Sequence, residues 1–212
     1  MKSKPLRPVV ARLRRNWRAL RTGLWFRPSR HGQGYRRMDR LYLLEDPWQL
    51  TSPQERARFA LTNAMIADIA PDCDALLEIG SGEGEQTIQL LKVARSVTGI
   101  EVSAAAVERA RHAAPEVEFL VGCGEDAGML IGPRRFDLIT ACEMLYYAPE
   151  PDRVLDALKT LAPMILVTAY EKRAGKLAPH LEGAGWSRLE DMVVDGVRWH
   201  CHLWRAAEGG AA

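Results

Sequence analysis

From residue 75 onward the chain alternates short apolar runs with stretches of helical spacing. The runs are ALLEI (75–79), VTGIEV (97–102), VEFLV (117–121), FDLITA (136–141) and MILVTA (164–169). Each is shorter than a helix and bounded by turn formers, so each predicts a strand. Between them the spacing predicts helices over about Gly84 to Ala94, over AAAVERARHAA after a Ser103 cap and before Pro115, and from about Pro151 to Leu161. Strands alternating with helices imply an α/β fold: a mostly parallel sheet with helices on both faces. The end breaks this rhythm. WSRLEDMVV and VRWHCHLWRA are alternating runs joined by Asp195-Gly196, a favoured two-residue hairpin turn, so an antiparallel pair is expected to finish the sheet.

Upstream, residues 9–25 place Val10, Leu13, Trp17, Leu20 and Leu24 on one helical stripe, with Arg12, Arg15 and Arg18 turned away. FRPSRHGQGYRR then reads as a loop. Ser52, Pro53 and Glu55 are the cap, first position and capping-box acid of a further helix, whose face continues through Phe59, Thr62, Ile66 and Ile69. Four regions follow: a basic amphipathic arm and loop (1–40), a cap or lid with a leading helix (41–74), the main domain (75–205) and a small-residue tail (206–212).

Charge sharpens the division. Of 29 Lys/Arg and 27 Asp/Glu, residues 1–40 hold 13 and one, leaving 16 and 26 for the remainder. A basic arm is thus joined to an acidic body. The arm has three readings: a helix docked on the body, a helix on an anionic membrane surface, and a nucleic-acid contact, ranked last because no RNA-binding signature accompanies it. An Arg-rich, acid-poor start also matches a transit peptide, although the expected serines are few. No run approaches the roughly 20 apolar residues of a membrane span, and no secretory signal is expected. Four scattered cysteines form neither a metal signature nor a disulfide framework, which favours a reduced, cytoplasmic setting, with the inner membrane face as the arm's alternative.

The candidate chemistry begins at EIGSGEGE (78–85). Gly80, Gly82 and Gly84 alternate at a strand-to-helix turn, where backbone approaches a ligand closely. Glu78, Glu83 and Glu85 surround them and no Lys or Arg occurs between Pro71 and Leu91, so the loop suits a cationic ligand better than pyrophosphate. Glu101, ending the second strand, is placed to accept both hydroxyls of a ribose.

Together these residues resemble the class I S-adenosylmethionine-dependent methyltransferases, which implies their Rossmann-like sheet and their donor. The resemblance implies cofactor contacts at Glu78, Gly80, Ser81, Gly82, Gly84, Glu101 and Val102. It adds Cys123, Gly124 and either Glu125 or Asp126 in the turn after strand three, and Cys142 in ACEMLYY after strand four. LYLLEDPWQLTSPQERARF and FDLITACEMLYY narrow the likeness to the nodulation protein S group, which N-methylates the amino sugar of a chitin-like oligosaccharide. That implies a glycan or other small polar acceptor. The arginine-rich arm is not part of that pattern.

Glu143, Tyr146 and Asp46 are the candidate catalytic residues, as carboxylates or a hydroxyl able to orient an amine and take its proton. Tyr42, Trp48 and Tyr147 are candidates for the substrate side. Each has a plainer reading: a helix-start acid for Glu143, core or rim aromatics for the tyrosines, a staple for Trp48, and a buried small hydrophobe for Cys142. His200 and His202 share a strand face, but no third ligand supports a metal. A nicotinamide-dependent short dehydrogenase would need Tyr-x-x-x-Lys, whereas Glu150 and Pro151 stand four residues after Tyr146 and Tyr147. A non-catalytic module keeping the fold for binding, at a membrane surface, is the other rival.

Overall fold

The computed structural model describes residues 34–207. The arm helix expected over 9–25 and the tail beyond residue 207 lie outside the described residues. Among the described residues, no helix is long and apolar enough to cross a membrane.

The chain enters through α1 (Gly34–Leu41) and α2 (Pro53–Ile69), then runs β1 (Ala75–Ile79), α3 (Glu85–Leu90), β2 (Ser96–Glu101), α4 (Ala104–Ala113) and β3 (Glu118–Val121). Short α5 (Ala127–Ile131) leads to β4 (Leu138–Cys142), α6 (Pro151–Lys159) and β5 (Met164–Tyr170). After short α7 (Glu171–Ala174) come β6 (Trp186–Arg188), β7 (Met192–Val194) and β8 (Val197–Arg205). The sheet order is β3-β2-β1-β4-β5-β8-β6, with β7 also on β8. The five leading strands are parallel, and β8 is antiparallel to β5. This is the expected α/β sheet with an antiparallel finish.

Neighbouring side chains on a strand face opposite ways, and the core divides accordingly. Leu77, Ile79, Ile139 and Val167 join Leu155 and Leu158 of α6 on one face. Leu76, Leu138 and Leu166 join Ile66 of α2 and Leu90 of α3 on the other. Burying each such side chain contributes about 1.5–3 kcal/mol. The expected N-caps form: the Ser52 hydroxyl accepts from the Glu55 amide at 3.3 Å and that of Ser103 from the Ala106 amide at 3.4 Å. The capping box is not closed, because the Ser52 amide donates to the Gln49 carbonyl and the Glu55 carboxylate is taken by Arg58.

Two elements depart from expectation. Residues 34–37, read as loop, begin α1, which buries Met38 and Leu41 with Tyr42 against Ala106. Only two turns of periodicity exist there, and the neighbouring glycines obscured them. The hairpin's first arm is also split into β6 and β7, because Asp191 turns its carboxylate onto Arg188, Arg198 and His200 between them. Asp195 (φ 51°) and Gly196 (φ 76°) form the turn itself.

Candidate active site

The C-terminal ends of β1, β2 and β4 open into a cavity of about 200 Å³, and one water needs only about 10–15 Å³. This is where an open α/β sheet places its ligands. The amides of Gly80 and Ser81 both donate to the Ile100 carbonyl, at 2.7 and 3.2 Å, and so fold the loop back over the end of β2. Gly80 (φ 77°) and Gly82 (φ 55°) then turn through left-handed backbone, which glycine adopts at little cost. A Cβ on Gly80 would stand 2.7 Å from Cβ of Met144, and one on Gly82 2.8 Å from the Tyr42 hydroxyl. Both close approaches border the cavity. Gly84 does not line it: its missing side chain makes room for Phe119 and Ala110. Ser81 and Val102 line the wall.

Glu101 is 5% exposed, and each of its oxygens accepts a backbone amide, from Gly82 and Ser103, both at 3.0 Å. The two amides fix the carboxylate where Glu101 lines the cavity. A bare-backbone loop beside a fixed carboxylate fits an adenosine with an unmodified ribose.

The turn after β3 meets the cavity differently from expectation. Gly122 and Gly124 line it, whereas Cys123, Glu125 and Asp126 do not. Cys123 donates its thiol to Asp126 at 3.0 Å. Both oxygens of Glu125 accept from the Tyr35 hydroxyl at 2.9 Å. Tyr35 and Met38 of α1 complete this wall, inside the segment read as arm and loop.

Glu78 is buried and accepts from the Thr87 hydroxyl. Burial raises its carboxyl to about 7, against the lowering effects of Thr87 and Arg58. Arg58 was not among the expected site residues. It is 2% exposed, lines the cavity, and donates to Glu55 at 2.7 Å and to the Gln86 side-chain oxygen at 3.2 Å. Its signal in the sequence is a charge within the stripe Phe59–Thr62–Ile66, where a solvated arginine has no place.

Beyond β4, Glu143 is held at φ 61°, a left-handed value uncommon for a side-chain-bearing residue. Its Oε2 accepts from the Tyr146 hydroxyl at 2.8 Å and the Tyr170 amide at 3.1 Å, and its Oε1 from Thr168 at 3.3 Å. Burial raises its carboxyl to about 7, outweighing Arg58, Tyr146 and the Tyr170 amide. Cys142 forms part of the floor, and burial raises its thiol, so it is not a poised nucleophile. Tyr146 and Tyr147 pack edge to face at 4.6 Å, and Trp48 lies 5.4 Å from Tyr147. Trp48 donates its indole N–H to the Tyr42 hydroxyl at 3.2 Å. All four aromatics line the cavity. The structure therefore brings Tyr42, Trp48, Glu143, Tyr146 and Tyr147 together.

Asp46 stands apart. It is outside the lining, and its oxygens accept from the Leu50 amide and the Thr51 hydroxyl, both at 2.6 Å. It is a turn cap. Its own amide donates to Glu83 at 2.8 Å, and Glu83 also pairs with Arg109, whose guanidinium reaches the Tyr42 carbonyl at 2.8 Å. Glu83 thus fastens segment 42–46 to α4 instead of charging the cavity. Neither Glu83 nor Glu85 lines it, so the charge argument drawn from those two acids falls away and only Glu78 carries it.

Among the described residues no group of three His, Cys, Asp or Glu is arranged to hold a metal. His200 lies against Asp191 at 3.0 Å and His180 against Asp152 at 2.7 Å.

Residues 76–163 match a family model described as a methyltransferase domain. The chain is 28% identical over 136 residues to nodulation protein S of Bradyrhizobium diazoefficiens, an alignment covering 63% of this chain and 64% of that protein. The nodulation protein S of Rhizobium tropici is likewise 28% identical, over 62% of this chain and 55% of the relative. These alignments span less than two thirds of the curated relatives' length. Among solved structures, the N-methyltransferase NodS of Bradyrhizobium japonicum WM9, in complex with S-adenosyl-L-homocysteine, superposes with a TM-score of 0.65 at 18% identity. That match covers 84% of this chain and 100% of the other.

Proposed function

Starting from a chain that carries a class I S-adenosylmethionine-dependent methyltransferase domain, we propose that the protein N-methylates a small polar amine, with an amino sugar or its oligosaccharide as the acceptor class. The observation that carries this reading is Glu143, a carboxylate at the cavity rim held by three donors and raised to about 7. A general base works best when its pKa lies near the working pH. Likeness to nodulation protein S supports the amino-sugar class, and the aromatic rings of Trp48 and Tyr147 offer the apolar face that a pyranose stacks on.

Bound in the cavity, S-adenosylmethionine supplies an electrophilic methyl group on a sulfonium. The Gly80–Gly82 backbone and Glu101 hold the nucleoside, the latter through the ribose hydroxyls. Tyr42 and Trp48 cover the loop and exclude water. Glu143 orients the acceptor's ammonium and takes its proton at Oε1, the oxygen with the single, longer partner at 3.3 Å. Tyr146, Thr168 and the Tyr170 amide fix the carboxylate in that direction. Holding the acceptor's lone pair in place is the larger part of the work, because positioning alone can supply about 7–11 kcal/mol of a barrier.

The test is transfer of labelled methyl from S-adenosylmethionine to glucosamine, to a chitooligosaccharide with one free terminal amine, and to the fully N-acetylated oligosaccharide. Label entering only the amine-bearing acceptors supports the reading. Equal labelling of the acetylated control, or none in any of them, refutes it.

A further inference from the structure

Two donors occupy Glu143 Oε2, and both depend on the end of β5. The first is the amide of Tyr170, the last residue of that strand, at 3.1 Å. The second is the Tyr146 hydroxyl, at 2.8 Å. Directly after Tyr170 the chain turns into α7, and Arg173 of that helix lies over two rings. Its guanidinium carbon is 5.6 Å from the centroid of Tyr146 and 5.5 Å from that of Tyr147. A guanidinium within about 6 Å of an aromatic ring is attracted to its face. Ala174, next in the helix, is buried in the core with Leu177 and anchors this short element.

Tyr146 needs support of this kind. It sits in a single 3₁₀ turn, Leu145–Tyr147, that leaves β4 through the left-handed Glu143. Such turns have poor hydrogen-bond geometry and hold a ring weakly by themselves. Tyr147 packs edge to face against Tyr146 at 4.6 Å, and Arg173 covers both members of the pair. Arg173 is outside the cavity lining, so it meets neither donor nor acceptor there and acts through the tyrosines. We infer that Arg173 is a positioning residue for the base: it locks the Tyr146–Tyr147 pair, so that the Tyr146 hydroxyl stays on Oε2 and Oε1 stays turned to the acceptor. Its charge also counters the rise that burial imposes on the Tyr146 phenol, which strengthens the hydroxyl as a donor to Glu143. The inference rests on Glu143 as the base and adds the group that keeps it aimed.

The test is a double-mutant cycle on the full chain, read as kcat for methyl transfer from S-adenosylmethionine to an amine-terminated chitooligosaccharide. Arg173→Met is expected to lower kcat about three- to thirtyfold, the range for losing a cation over aromatic faces. Calorimetric affinity for S-adenosylhomocysteine should stay within about twofold, because the donor's contacts are untouched. In a Tyr146→Phe background, where the hydroxyl is already gone, the same change should cost less than about twofold, since residues that act through one another are not additive. The acid limb of Arg173→Met should move to higher pH, because a weaker donor favours the ionised carboxylate less. Arg173→Lys keeps the cation and should return the limb toward wild type. Arg58 and Glu55 of α2, whose charges also act on Glu143, are the same in every variant. Additive losses, an unmoved acid limb, or an Arg173→Met enzyme within about twofold of wild type each overturn the role of Arg173 while leaving Glu143 as the base. If circular dichroism shows that Arg173→Met does not fold, Arg173→Lys alone and paired with Tyr146→Phe decides by the same comparison. A Glu143→Gln enzyme as active as wild type would instead sink the base, and the role of Arg173 with it.

Discussion

Glu143→Gln removes a charge while keeping a shape. The glutamine oxygen can accept from Tyr146 and Tyr170 where Oε2 now does, and its NH₂ can donate to Thr168, so the network survives. What disappears is the proton acceptor. General base catalysis is worth about 10²–10⁴-fold, so kcat should fall by that factor while the affinity for S-adenosylhomocysteine stays within about twofold. The pH dependence follows from the raised carboxyl. The base acts only when ionised, and with a pKa of about 7 the active fraction climbs from about a tenth at pH 6 to about nine tenths at pH 8. Wild-type kcat/KM should therefore rise roughly tenfold over that window and then level. Glu78 is also raised to about 7 and titrates in the same range, so the variant is needed to separate the two. The assay is methyl transfer to an amine-terminated oligosaccharide at half-unit pH steps, for both proteins. A Glu143→Gln enzyme within fivefold of wild type, or one that keeps the full acid limb, would refute the assignment.

Three further outcomes follow from the geometry. Gly82→Ala forces a Cβ into left-handed backbone at φ 55° and to within 2.8 Å of the Tyr42 hydroxyl. It should weaken S-adenosylhomocysteine binding at least tenfold by calorimetry, with about 1–2 kcal/mol of stability lost in a urea titration. Arg109→Met breaks the bond to the Tyr42 carbonyl and leaves Glu83 (side chain 10% exposed) with the Asp46 amide but without its cation, costing about 1–3 kcal/mol; residues 42–48 should then exchange amide hydrogens faster while α6 does not. Both Glu78 and Glu143 bind protons more tightly folded than unfolded, so stability should fall as pH rises from about 4.5 to about 7. Urea midpoints across that range check the sign, and Glu143→Gln should flatten part of the slope.

The sheet was legible because its signals are local and redundant. An apolar run such as ALLEI flanked by glycine admits few readings, Ser52-Pro53 marks a helix start on its own, and Asp195-Gly196 specifies a hairpin turn. The glycine loop and Glu101 were legible for the same reason, since each position is constrained by its own strand. What stayed hidden depends on distant partners. Counting acids around the glycines could not reveal that Glu83 is matched by Arg109, 26 positions away, nor that Glu125 answers Tyr35, 90 positions away. Asp46 looked chemically able, but its carboxylate is consumed within five residues of its own backbone. Arg58 escaped notice because a charged residue in a helical pattern is ordinarily assigned to solvent.

The strand order carries a consequence for biosynthesis. β5 has one neighbour in β4, and its other edge is covered by β8, which follows it by more than twenty residues. Until residues 197–205 have left the ribosome and turned back, five buried residues of β5 present an unpaired edge to solvent or to any chaperone nearby. β8 also delivers Trp199 to the cavity wall. Nascent chains stopped before residue 197 would therefore combine two defects, a sticky sheet border and an unfinished pocket, and should be drawn toward aggregation before they could hold a ligand.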